Sequence, residues 1–209
     1  MDWREQADAA IARYEGGETH DVDQRQLTQL ANAAWAAGLC LLMAGDREGS
    51  ARWLRQAAIR YGESWAIAPP DSWGRPIAGM KALLLAGADP RSTANFALEQ
   101  GAGRAESPIG RYAAALALLV LERDEQAAEQ AAWLQQAEGF PQDVAAALAA
   151  LAARDAGAYA EAVESVLSSF EERDAFLEDV AVADTALVLE ALARPRGLAS
   201  GLRESPRLP

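Results

Sequence analysis

Apolar residues recur every three or four positions along this chain, in short ladders cut at intervals by glycine and proline. That spacing lines one face of a helix, whereas a half-buried strand needs strict alternation. Val and Ile are scattered, and no Val/Ile/Tyr alternation bounded by Asn-Gly or Asp-Gly turns occurs. About a quarter of the residues are alanine, the strongest helix former and small enough to let helices pack closely. With 209 residues, 51% of them hydrophobic, the chain can build a core in one domain or one continuous stack of small units.

The punctuation predicts an all-α fold of ten helices. They cover residues 2–15, 23–44, 48–66, 76–87, 90–101, 108–121, 124–138, 141–154, 158–173 and 182–194. Asp21 or Asp23 can cap the second helix, and Pro76, Pro90, Pro108 and Pro141 suit helix starts. Residues 68–76, rich in Pro, Asp and Gly, cannot be helix interior.

Four junctions look alike. An apolar helix end, such as Leu41-Leu42-Met43-Ala44 or Leu83-Leu84-Leu85-Ala86, runs into a short turn and then an Ala-rich helix. The turn anchors Gly45, Gly87, Glu122 and Arg154 are 42, 35 and 32 residues apart. Paired helices at a period of roughly 34 residues mark tetratricopeptide-type arrays.

The sequence resembles that family over residues 27–173. Gly157-Ala158-Tyr159-Ala160-Glu161-Ala162 is similar to its turn, Ala127 takes its small position, and Pro141 falls near its closing proline; its first-helix Trp-Leu-Gly-Tyr pattern is absent. The resemblance implies one helical-repeat domain over 1–209, a right-handed stack of antiparallel helix pairs forming an α-solenoid. Helices 2–15 and 182–194 are then expected as caps, with an irregular tail at 200–209. Stacked pairs share a core that no single pair can bury, and they leave a concave face that suits peptides or protein segments.

A formal charge of -12 excludes a free-standing nucleic-acid binder. One Cys and one His exclude an intrachain disulfide and a Cys/His zinc site. A Ser-His-Asp unit would need His20, which lies in a polar loop. Cys40, inside the run Leu39-Cys40-Leu41-Leu42-Met43, reads as a small buried hydrophobe. No phosphate loop or dinucleotide fingerprint is present, so no cofactor is expected. The basic start and apolar stretch of a signal peptide are missing, as is an uninterrupted apolar run of membrane-spanning length, so the expectation is a cytoplasmic protein without membrane contact.

Residues 51–100 carry 6 basic against 4 acidic side chains in an otherwise acidic chain, together with Trp53, Trp65 and Trp73. Arg52, Arg55, Arg60, Arg75 and Lys81 can offer donors to carboxylate or phosphate, and Trp73 in its Pro/Gly-bounded loop can anchor a partner. The candidate partner-binding set is Trp65, Trp73, Arg75, Arg60 and Asp71. The competing reading folds Trp65 and Trp73 back as a clamp, with Trp53 and Trp65 expected deeper than Trp73. The acidic run Glu171, Glu172, Asp174, Glu178, Asp179 and Asp184 lacks calcium-loop spacing and reads as a solvated, helix-capping face.

The leading functional expectation is a non-enzymatic module that holds a protein or peptide. A second comes from resemblance: helix plan, acidity and a Leu-Pro tail look similar to immunity proteins of bacterial toxin systems. A third is a small-molecule site or enzyme pocket lined by Trp65, Trp73, Arg75 and Arg111. A homodimer is a further expected assembly.

Overall fold

The computed structural model describes residues 2–17 and 22–209. His20 and Asp21 lie outside these. Among the described residues there are ten α-helices and no strand: α1 Trp3–Gly17, α2 Gln24–Met43, α3 Arg47–Ala66, α4 Gly74–Leu85, α5 Arg91–Glu99, α6 Pro108–Val120, α7 Asp124–Leu134, α8 Gln142–Ala153, α9 Ala156–Glu171 and α10 Asp184–Ala193. The ten predicted helices are all there. α4 starts two residues early, so Pro76 is its third residue, where a missing N–H still costs no helical bond. α7 stops at Leu134 rather than 138.

Helix starts follow side-chain chemistry. Asp23 closes a capping box with Gln26: its carboxylate accepts from the Gln26 backbone N–H at 2.8 Å, and the Gln26 side-chain Oε1 accepts from the Asp23 N–H at 2.9 Å. Asp46, Ser107 and Asp155 accept from the backbone of Gly49, Gly110 and Ala158 at the starts of α3, α6 and α9.

The four anchors are one backbone motif repeated. Gly45, Gly87, Glu122 and Arg154 all take left-handed φ, at 80°, 62°, 58° and 55°. The residue after each donates five positions back: Asp46 to Leu41, Ala88 to Leu83, Arg123 to Leu118 and Asp155 to Ala150, at 2.9–3.0 Å. These are Schellman closures. They end α2, α4, α6 and α8 identically and turn the chain at each end.

Every helix packs on its neighbour in the chain, and α4, α6 and α8 also touch side by side. Small residues allow the approach. Ala113 to Ala115 and Ala117 on α6 are buried, and a methyl on Gly38 of α2 would come within 2.6 Å of Leu54 on α3. One buried cluster joins α1 to α4 around Leu30, Leu39, Leu54 and Tyr61, and a larger one runs on to α10 through Leu116, Leu119, Leu148, Leu151 and Leu189.

The C-terminal segment does more than the cap expected of residues 182–194. The turn Leu177–Asp179 touches α2, Val180 and Val182 join the first cluster, and α10 packs on α4, α8 and α9. Residues 197–209 form no helix but are firmly held. Leu198, Leu202 and Leu208 join the larger cluster. The Glu190 carboxylate, 9% exposed, accepts on one oxygen from Tyr159 Oη, Ser200 N and Ser200 Oγ, at 2.9, 3.1 and 2.9 Å. Arg196 reaches Leu119 O and Asp124, each at 2.7 Å. A segment that only closed one end could not bridge α2 and α9; this one is a strap.

Two predictions follow from these contacts. Glu122 holds a left-handed conformation that favours glycine, and its ion pair with Arg91 is 56% exposed on both sides. Glu122→Gly is therefore expected to stabilise the fold by about 0.5–1 kcal/mol in urea unfolding, since so exposed a pair contributes little. Lower stability in the variant would mean that the pair outweighs the strain.

Arg203 grips Glu171 with two bonds of 2.8 and 2.6 Å, and Ser205 Oγ adds a third at 2.7 Å. The Arg203 and Ser205 hydrogen bonds lower the Glu171 carboxyl from 4.5 to about 2. A lowered folded-state value means the contact is at full strength above pH 4.5 and is lost as pH falls toward 2. Amide signals of Arg203 and Ser205 should shift through that window, with tail proteolysis rising. Signals unchanged down to pH 2 would contradict it.

Candidate functional site

The loop between α3 and α4 resolves into a clamp and an exposed edge. Trp73, 5% exposed, stands at the N-cap of α4, and its indole Nε1 donates to Asp71 Oδ1 at 3.1 Å. Its ring lies against Gly110 on α6, where an added methyl would meet Ala105 Cβ at 2.3 Å and Trp73 Nε1 at 2.9 Å. Trp73 is thus deeper than Trp65 and Trp53, both half-buried, reversing the predicted order. The physical reason is the glycine: without a side chain at residue 110, α6 admits an indole from a loop thirty-seven residues earlier.

The arginines of the candidate set are engaged inside the molecule. Arg75 Nε donates to Ser64 Oγ at 2.8 Å, and its Nη2 donates to Gln24 Oε1. Arg75 therefore joins α4 to α3 and α2 rather than pairing with Asp71. Arg60 donates to Tyr14 Oη at 2.8 Å and to Glu63 at 2.9 Å. Arg55 donates to Ala86 O at the end of α4, at 3.3 Å. Arg111 points to Gly103 O at 2.7 Å and to Gln130 at 3.1 Å, with its guanidinium 5.2 Å from the Trp133 ring.

What remains at the surface is Trp65. Its ring meets Phe96 edge-on at 4.6 Å between centroids and Trp73 at 6.4 Å. Phe96 on α5 is 42% exposed, and Ile67, two residues after Trp65, is 58% exposed. Sequence reading passed over both. Phe96 offered a signal, a lone aromatic in the short amphipathic helix α5, but its meeting with Trp65 depends on how α5 packs.

The acidic run is dispersed. Glu171 takes Arg203, Glu178 takes Arg13 at 3.2 Å, and Asp184 takes Lys81 at 2.5 Å. Among the described residues no group of three or more His, Cys, Asp or Glu is placed to hold a metal ion. Cys40 is fully buried, and desolvation, offset in part by Arg13, pushes its thiol up to about 11. It has no thiolate to offer near neutral pH. No helix among the described residues is long and apolar enough to cross a membrane.

A second concave feature was not foreseen. A cavity of about 450 Å³ opens where Lys81, Ile109, Tyr112, Phe140, Arg173 and Thr185 converge. Those residues come from α4, α6, α10, the α7–α8 loop and the segment after α9, so no local pattern marks them.

No family model, curated protein or solved structure matches this chain.

The two tryptophans separate in an unfolding experiment. Trp73→Ala is expected to lose about 3–5 kcal/mol in urea, as for any large buried ring. Gly110→Ala is expected to lose about 1–3 kcal/mol through overpacking. Trp65→Ala should lose clearly less than Trp73→Ala; equal losses would refute the assignment of clamp and edge.

Proposed function

We propose that this protein is a non-enzymatic, tetratricopeptide-like helical module that holds a protein or peptide partner, with the Trp65–Phe96 edge as the contact surface. The observation that carries the reading is the aromatic pair itself. Two rings lock edge to face, one of them 42% exposed, on a rigid base made by Trp73 and Arg75. Aromatic side chains already ordered in the free protein give up little conformational entropy on binding, and they dominate interface energetics. The repeated Schellman closures and the side-by-side α4, α6 and α8 support the stacked-pair reading. The buried, undissociated Cys40 thiol supports a non-enzymatic one.

A photo-crosslinking residue at position 96, expressed in the source cells, tests this surface. Position 125, on the first turn of α7, serves as control. One discrete partner band from 96 and none from 125 is expected. Trp65→Ala or Phe96→Ala should then weaken the purified complex by about 2 kcal/mol, roughly 30-fold. Equal labelling from both positions, or full affinity in both variants, would remove this edge from the function. Trp73→Ala is unsuited to the question because it unsettles the fold.

A further inference from the structure

The cavity at Lys81 and Arg173 is independent of the aromatic edge, and its chemistry is specific. One wall is apolar: Pro108, Ile109, Phe140, Pro141 and Val144. Ile109 is 44% exposed beside it, an unusual place for a large aliphatic side chain that serves only packing. The remaining lining presents donors. Lys81 bonds Asp184 at 2.5 Å and Thr185 Oγ1 at 3.1 Å and sits 5.7 Å from the Trp35 ring, so its charge is held in place. The Arg173 guanidinium carbon sits over Phe170, 3.8 Å from the ring centroid. The ring contact restrains the guanidinium, which among the described residues has no hydrogen-bond or ion-pair partner. Tyr112, its ring tilted against Phe140 with centroids 5.5 Å apart, contributes a phenol with no hydrogen-bond partner among the described residues.

The charge balance selects the ligand. Two cations face one carboxylate, Asp184, which Lys81 already occupies. Glu172 and Asp174 flank Arg173 in the chain but form no ion pair with it. Three helices also turn their first turns to the cavity, through Pro108 and Ile109 of α6, Val144 of α8 and Thr185 of α10. Their N-terminal ends add positive potential. The volume falls within the ~300–1,000 Å³ of small-molecule sites.

We propose that this cavity binds a small amphipathic carboxylate, its charged end on the Arg173 guanidinium and the Tyr112 hydroxyl and its hydrocarbon body against Ile109, Phe140 and Val144. A planar guanidinium matches a carboxylate with two parallel bonds, and one excess positive charge matches one negative charge.

The test uses the full chain and 3-phenylpropionate and octanoate as probes, with 3-phenylpropan-1-ol and acetate as controls, by calorimetry and amide chemical-shift mapping. Saturable binding of at least one long carboxylate is expected, with shifts centred on Tyr112, Phe140 and Val144. The alcohol and acetate should each bind at least about tenfold more weakly, since each lacks one half of the recognition. Arg173→Gln should weaken the carboxylate by about tenfold or more. Ile109→Glu, which sets a negative charge on an exposed rim position, should do the same. Both side chains reach solvent, and unchanged circular-dichroism melts confirm that the variants fold. Absence of saturable binding by either carboxylate, an alcohol as tight as its acid, shifts centred elsewhere, or full affinity in both folded variants would overturn the proposal.

Discussion

Reversal of the backbone through the left-handed conformation is the constraint on which the rest of the molecule depends. At Gly45, Gly87, Glu122 and Arg154 the same Schellman closure ends one helix and sends the next back along it. A helix with one apolar stripe has nowhere to bury it except on such a neighbour. Once the reversals are set, α2 lies on α3, α6 on α7 and α8 on α9, and the alanine-rich faces bring the axes close. Glycine takes the conformation without strain at two of the four sites. The other two bear it, with Glu122 paired to Arg91 at the start of α5 and Arg154 to Asp124 at the start of α7.

Asp124 shows how these local reversals are tied to distant parts. Burial acts to raise its carboxyl, but hydrogen bonds from Arg196 and Arg154 outweigh this and hold it below the usual range. One side chain thus joins the start of α7, the turn after α8 and the strap after α10. Glu190 does the same for α9, α10 and the tail. The C-terminal strap is accordingly part of the fold. It helps to build the cavity as well, because Arg173 and Thr185 reach it only when the chain after α9 crosses back toward α4.

Much of this was legible in the sequence. Ten helices, their proline starts and the four anchor positions could be read because each is written within a few neighbouring residues. The 3.6-residue spacing, a glycine or an aspartate acts on its own segment. The candidate site was legible only in part. Trp65 and Arg60 lie on the helix where their spacing put them, but Arg75 turned inward to Ser64 and Gln24, and Trp73 went into the space left by Gly110. A charge count over residues 51–100 registers six basic side chains, yet cannot tell that Arg60, Arg75 and Lys81 would be met by Tyr14, Gln24 and Asp184.

Helical class, turn positions, alanine-mediated close packing and the exclusion of an intrachain disulfide or Cys/His zinc site came from the chain alone, through backbone preferences and composition. Which side chains face water, and which meet, was decided by tertiary structure. Trp65 and Phe96 are thirty-one residues apart, and the cavity gathers residues from 81 to 185. Such convergence depends on the angles at which helices cross and on the path of the strap. Those are settled by the packing of all the stripes together, and no single stretch of sequence contains them.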